Sequence, residues 1–343
     1  MRLRCTGKSP GPHDQLFMKR ATITSAILTF FIVTLSTCAL AQTASQSVST
    51  DSGRLVKLSV IVTDRSNHSV DDVQKEDLQL FDNGAQQSIL YFSREESAAT
   101  YGLVIDSSGS LRSLFPLVKT NATAIIQANR INDSTFIVRF VSSDKIQTVQ
   151  ELTSDKAALT SAINGLNVQG GQTALIDGLY LAADYAIKHR VGRERLALVL
   201  ISDGEDRASY YNETQLFKVL RENEIQVFAI GLVGDLDNQE GFIRLSPRKK
   251  ATDFLTRLAK ETGGRILVLT NPKELPNAVN EVVHDLHAQY VIGYQPPEKP
   301  DQIQRKVQVK VTNSPGREKR IAITRPVIRI DLPTPANTGS KQP

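Results

Sequence analysis

YGLVIDSSGS, residues 101–110, decides how this chain is read. An apolar run ends in Asp106, and Ser108 and Ser110 follow it at every second position. Similar runs recur along the middle of the chain: TFIVRF (135–140), KIQTVQ (145–150), LALVLIS (196–202), IQVFAIG (225–231) and RILVL (265–269). Helical patterns separate them, over 113–129, 155–163, 174–188, 213–222, 252–262 and 273–287. LALVLIS is apolar throughout rather than alternating, as expected of a strand buried on both faces. Strands and helices that alternate in this way predict a parallel sheet with helices on both sides, a doubly wound α/β domain over 98–286.

The flanks have a different texture. Val56, Leu58, Val60 and Val62 alternate with Lys57, Ser59, Ile61 and Thr63, which is the pattern of a half-buried strand. Asp82-Asn83-Gly84 lies between LQLF and QQSILYF, and Asn-Gly between apolar runs signals a tight hairpin, because a type I′ turn needs positive φ twice. After His287 come QYVIGY, KVQVKVT, RIAIT and VIRI. Two β arms, 54–97 and 287–331, are expected to form one sandwich-like accessory domain, since about three strands each would be marginal alone. The polar stretch 42–53 reads as a disordered linker, and 332–343 as a disordered tail.

The first 41 residues read as a signal peptide. Lys19 and Arg20 precede an apolar run from Ala21 to Val33, and Ala39-Leu40-Ala41 supplies a cleavage site. Met18 is a possible true start, and Cys38 offers a lipoprotein alternative. The apolar run is shorter than the roughly 20 residues of a membrane span, so no span is expected once the leader is removed. Both cysteines, Cys5 and Cys38, lie in this segment, so the mature chain would have no disulfide and no thiolate. The leader also carries much of the net charge of +5. Five of the 41 basic residues and one of the 36 acidic residues lie in it, leaving the rest nearly neutral. With no tryptophan and little aromatic surface, nucleic acid is a poor partner.

In an open α/β sheet, ligands bind beyond the carboxyl ends of the strands. Asp106, Ser108 and Ser110 put one carboxylate and two hydroxyls on such a loop, with Gly109 expected to let the backbone turn closely. Two further loops could converge there. Gly170-Gly171-Gln172-Thr173 precedes a helical stretch, and LALVLIS runs into Asp203-Gly204-Glu205-Asp206. Carboxylate and hydroxyl oxygens without His or Cys suit Mg²⁺, Mn²⁺ or Ca²⁺. Each piece also has a plain structural reading. Asp106, Ser110 and Thr173 could cap helices, Asp203-Gly204 could be a turn, and Glu205 and Asp206 could be solvated loop acids.

The Asp-x-Ser-x-Ser loop, the Thr after a Gly pair and the Asp after an apolar strand together resemble the metal-ion-dependent adhesion site of von Willebrand factor type A (VWA) domains, over about 98–286. The flanks VTDRSNHSVDDVQKEDLQLFDNGAQQSILYF and LHAQYVIGYQPPEKPDQIQRKVQVKVT resemble bacterial, acidobacterial-type VWFA-related domain proteins. The resemblance implies a Rossmann-like VWA fold. It implies a single divalent metal, Mg²⁺ first, held by Asp106, Ser108, Ser110, Thr173 and Asp203. It also implies an adhesion function in which an Asp or Glu from a partner protein, or an acidic surface ligand such as a glycan, completes the coordination. The expected setting is outside the cytoplasm: periplasmic, cell-surface or secreted.

Other classes fit less well. A dinucleotide-binding enzyme needs G-x-G-x-x-G where this chain has DSSGS, and no P-loop motif is present. A phosphoryl-transfer enzyme of the haloacid dehalogenase type needs a second Asp where Ser108 stands. A serine hydrolase needs a His at a strand end, and His68, His189, His284 and His287 are not so placed. The expectation is therefore a binding module and not an enzyme. The different-class alternative is a structural or envelope-assembly protein whose metal site is silent.

Overall fold

A computed structural model describes residues 55–96, 98–191, 195–237, 239, 245–296, 304–312 and 318–329. The signal peptide, the linker and the tail expected above lie outside the described residues.

The described residues begin with four strands: β1 (Val56–Thr63), β2 (Leu78–Asp82), β3 (Ala85–Gln87) and β4 (Tyr91–Glu96). The α/β unit follows as β5 (Thr100–Asp106), α1 (Phe115–Gln127), β6 (Ser134–Phe140), β7 (Ile146–Thr153), α2 (Lys156–Gly165), α3 (Leu175–Lys188), β8 (Leu196–Ser202), α4 (Glu213–Glu222), β9 (Gln226–Leu232), α5 (Pro247–Thr262), β10 (Ile266–Leu269) and α6 (Leu275–His287). Four strands close the fold: β11 (Ala288–Tyr294), β12 (Gln304–Val311), β13 (Ile321–Ile323) and β14 (Val327–Arg329).

The α/β unit is built on a six-stranded sheet of order β10-β9-β8-β5-β6-β7. All neighbours are parallel except β6 and β7. The sheet is thus mostly parallel, as expected, and the KIQTVQ run supplies its antiparallel edge strand beside β6. The reason is the connection: residues 141–145 hold no crossover helix, and a link this short can join only antiparallel strands. One face packs on α1, α2 and α6 through residues such as Leu103, Ile105, Val118, Ile163 and Val282. The other packs on α3, α4 and α5 through Val104, Val138, Leu179, Leu216 and Leu255. Burial on both faces explains why β5, β8 and β9 have no exposed residue. Helix α5 starts earlier than expected, because the Ser246 side chain accepts from Lys249 N and Pro247 takes the first helical position.

The two arms interleave into a pair of four-stranded sheets, β13-β1-β11-β4 and β14-β12-β2-β3. Each sheet mixes strands from both arms, with β11 between β1 and β4 and with β12 between β14 and β2. Their inner faces share one core, including Leu58, Val60, Leu80, Tyr290, Ile292, Val307 and Val309. The Asp-Asn-Gly turn forms the β2–β3 hairpin as expected, with Asn83 at φ 48° and Gly84 at φ 84°. Each arm contributes four strands rather than about three. Helix α6 runs directly into β11, so one continuous segment belongs to both layers.

A buried polar cluster fastens the turn after β1 to the α/β unit. The Arg265 guanidinium donates to Asp285 Oδ2 (2.6 Å), Glu281 Oε2 (2.9 Å), Ser69 Oγ (2.6 Å) and the Asn67 carbonyl. Arg265 and Asp285 are both almost wholly buried. Among the described residues, no helix is long and apolar enough to cross a membrane.

Candidate metal centre

The sequence of β5 delivers Asp106 to the carboxyl end of the sheet, where the parallel register Ile105↔Ile201 sets it beside Ser202 of β8. Asp106 is fully buried. Its Oδ1 accepts from Ser108 N (2.9 Å), which folds the following loop back over the carboxylate. Its Oδ2 accepts from Ser202 Oγ (2.8 Å), and Ser202 Oγ in turn accepts from Gly204 N (3.0 Å). Ser202 is the residue that the sequence reading missed. Its only signal was its place at the end of LALVLIS, where any small polar residue is unremarkable.

Ser108 is buried and Ser110 exposed, and their hydroxyls lie 2.9 Å apart. Two hydroxyls this close form a paired donor set for one ion. A 3₁₀ turn over Gly109–Leu111 carries Ser110 back toward Ser108. Gly109 is not in the left-handed region, and an added Cβ would meet nothing within 4 Å, so the close approach expected of it does not occur.

Asp203 follows β8 and is nearly buried. Its Oδ1 accepts from Glu205 N (3.0 Å), the turn that a plain reading foresees. Its Oδ2 is buried with no hydrogen-bond partner among the described residues. Gly204 holds the turn at φ 83°, and a Cβ there would sit 2.8 Å from Leu255 Cδ1. An ionised oxygen kept dry and unpaired is costly unless a cation meets it. Ser107 Oγ is likewise buried and unpartnered.

Thr173 arrives on the third loop and is nearly buried. The three loops are stitched together by their backbones. Gln169 N donates to Ser107 O (2.9 Å), and Arg207 N and Ala208 N donate to Thr173 O (2.8 and 3.2 Å). The helix-cap readings of these residues fail. The cap of α1 is Leu114 and that of α3 is Ala174, and neither forms a side-chain cap bond. Ser110 and Thr173 are therefore not needed by the helices that follow them.

Asp206 is no free loop acid. Its Oδ1 accepts from Ile176 N (3.1 Å) and Ser209 Oγ (2.5 Å), which clamps the loop after β8 to the first turn of α3. Glu205 pairs with Arg207 at 2.5 Å. Basic side chains that follow β9 are also committed. Arg248 donates to the carbonyls of Gly234 (2.8 Å) and Leu236 (2.9 Å), and Lys249 pairs with Asp253 at 3.2 Å. Arg244 lies outside the described residues.

Electrostatics set the character of the site. Burial raises the Asp106 carboxyl, the neighbouring Asp203 raises it further, and it is pushed up to about 7. Two dry carboxylates side by side repel each other until a cation lies between them. Among the described residues, no group of three or more His, Cys, Asp or Glu side chains is arranged to hold a metal ion, so a metal held here would depend on the hydroxyls. The donor set of two carboxylates with Ser and Thr hydroxyls, and the orphaned Asp203 Oδ2, fit a hard divalent ion.

The model of the von Willebrand factor type A domain matches residues 102–280. Among solved structures, the chain is similar to a von Willebrand factor type A protein from Catenulispora acidiphila, with 14% identity, 73% of this chain and 75% of that chain covered, and a TM-score of 0.44. It is also similar to proximal thread matrix protein 1 of the mussel byssus with a zinc-occupied MIDAS motif, with 18% identity, 56% and 49% covered, and a TM-score of 0.45. The chain spans about half the length of the mussel protein. BatB from Bacteroides thetaiotaomicron matches at 16% identity, with 54% and 98% covered and a TM-score of 0.39. No curated protein matches the chain.

Proposed function

This chain belongs to the von Willebrand factor type A family, whose domains are often metal-dependent adhesion or protein-interaction modules. From that premise we propose that it is an exported binding protein, not an enzyme. In this reading Asp106, Ser108, Ser110, Thr173 and Asp203 hold one divalent cation, Mg²⁺ before Mn²⁺ or Ca²⁺. The observation that carries the proposal is the buried, unpartnered Asp203 Oδ2 beside the dry Asp106 carboxylate and the paired serine hydroxyls.

Two carboxylates offset the +2 charge. The hydroxyls are neutral, and the outward face stays electrophilic. A carboxylate from an Asp or Glu of a partner protein is the natural group to complete the shell, since hard cations take oxygen ligands. The chain's own residues do the rest. Ser202 and Ser108 N orient Asp106, Gly204 and Glu205 N orient Asp203, and the Asp206 clamp fixes the loop after β8 against the loop that carries Thr173. The arms 54–97 and 287–331 are proposed to act as one β-sandwich support for the 98–286 domain.

Capture of partners from a cell-envelope extract, with and without chelator, tests the reading. Wild type should retain an acidic partner in millimolar Mg²⁺ and release it into EDTA, and Thr173→Ala should retain less. Capture that chelator leaves unchanged would sink the metal bridge. It would favour a structural role with a silent site.

A further inference from the structure

The loop between β8 and α4 is held by several side-chain hydrogen bonds in a geometry that its own packing does not explain. Asp177, on the first turn of α3, is nearly buried and is the acceptor for two consecutive loop amides: Tyr210 N (2.9 Å) and Tyr211 N (2.8 Å). Its backbone N donates to Ser209 Oγ (3.1 Å). Ser143 Oγ donates to Ala208 O (2.6 Å), and Asp206 binds Ile176 N and Ser209 Oγ as described. The ring of Tyr211 stacks on Tyr180 of α3, with centroids 3.7 Å apart, and Tyr210 stands edge-on to Tyr211 at 5.4 Å. So rigid a mount leaves Tyr210 84% exposed. Burying a ring elsewhere would be the cheaper fate for an aromatic residue, and a flexible loop would not need the buried Asp177 and the surface Asp206 to hold it.

Tyr210 is also close to the metal loops. Arg207 N is 2.8 Å from Thr173 O, and Tyr210 is three residues further on, so its Cα lies within about 14 Å of that carbonyl. An extended peptide covers such a span in about four residues. A rigid tyrosine offers large contact area at low entropic cost, which is why tyrosine is enriched among the residues that dominate interfaces.

We propose that Tyr210, braced by Tyr211 and Tyr180, is the specificity-determining anchor of this chain. It would receive an apolar or proline side chain of an extended partner segment, about three or four residues from the carboxylate that reaches the metal. The inference rests on the metal-bridged reading above, and its test separates the two. A random peptide library carrying one fixed Asp is selected on the full chain in Mg²⁺ and eluted with EDTA, against wild type and Tyr210→Ser. Wild type should enrich an apolar or proline residue at that spacing. The selected peptides should bind Tyr210→Ser about tenfold or more weakly, with Mg²⁺ affinity and melting temperature unchanged and with Tyr210→Phe restoring most of the affinity. EDTA-eluted peptides with no preference at that spacing, bound equally by Tyr210→Ser, overturn the anchor and leave the metal site standing. A library that yields no EDTA-eluted peptide overturns the metal-bridged reading and the anchor with it.

Discussion

Replacing Asp106 by Asn separates a carboxylate kept for a cation from one kept for the fold. In the metal-free protein this carboxyl is raised from 3.8 to about 7, first by burial and then by Asp203. A carboxyl raised on folding binds its proton more tightly in the native state, so native stability falls as pH rises from the unfolded value and levels off above the folded one. Over that window the wild-type carboxylate costs about 4 kcal/mol, at about 1.4 kcal/mol per pH unit. Asn removes the charge and keeps the shape. Its oxygen can still accept from Ser108 N, and Ser202 Oγ can turn to accept from its amide, so the exchange costs about 1 kcal/mol. At about pH 8 in EDTA the variant should therefore be the more stable protein by about 3 kcal/mol, several degrees in melting temperature. The advantage should shrink steadily as pH falls and be gone by about pH 3, below the unfolded value, where wild type is protonated in both states. Mg²⁺ at about a hundred times its dissociation constant should raise wild type by about 2.7 kcal/mol and leave the variant where it was. Thermal denaturation across this pH range, with EDTA and with Mg²⁺, reads all three effects. A variant less stable than wild type in EDTA at about pH 8 would mean that Asp106 is an ordinary structural acceptor, and the argument for a cation would fall.

Three further outcomes probe the β arms and their joint with the α/β unit. Arg265→Met should destabilise the protein by about 3–5 kcal/mol in chemical denaturation, because it leaves Asp285 and Glu281 in a dry site without their cation, and a double variant that also carries Asp285→Leu should recover part of that loss. The fragment 98–286 should fold with a lower melting temperature than the whole chain, since it loses Ser69 and Asn67 from the Arg265 cluster and His287 from its 2.6 Å contact with Asp133. The fragment 42–97 should give the poorly dispersed amide spectrum of an unfolded chain, because β1 loses its partner β11 and β2 loses its partner β12.

The order and type of the elements were legible because apolar periodicity is a local property. The runs ending at Asp106, Phe140, Ser202 and Gly231 all fall on strands, and six helical stretches fall on six helices. The site loops were legible for the same reason, since the end of a buried strand is marked in sequence by where the apolar run stops. What could not be read is what long-range pairing creates. Nothing local says that Ser202 will face Asp106 across 96 positions, or that Asp206 will accept from Ile176 N across 30. Arg265 looked like the first residue of the RILVL run. Its burial is tolerable only because Asp285, Glu281 and Ser69 meet it, and Ser69 comes from 196 positions away. The antiparallel turn of β7 lay in the shortness of a loop rather than in any pattern of its residues.

The same long-range pairing bears on how the metal face is supported. Helix α6 packs Val279, Val282 and Leu286 on the sheet face that also buries Ile105, the residue next to Asp106. The chain then continues without a break into β11, which is hydrogen-bonded on both edges, to β1 and to β4. Asp285 of this helix holds Arg265 beside the start of β10, and Ser69 of the N-terminal arm joins the same cluster. Helix α6 is thus pinned at its end by a strand of the β-sandwich and along its side by an ion pair that Ser69 of the N-terminal arm joins. A displacement of α6 along its axis would have to shift the register of β11 against two neighbours, and a one-residue slip would turn Ile292 and Tyr294 out of their core. The sandwich therefore does more than flank the α/β unit. It holds α6 in place on the sheet face that also buries Ile105.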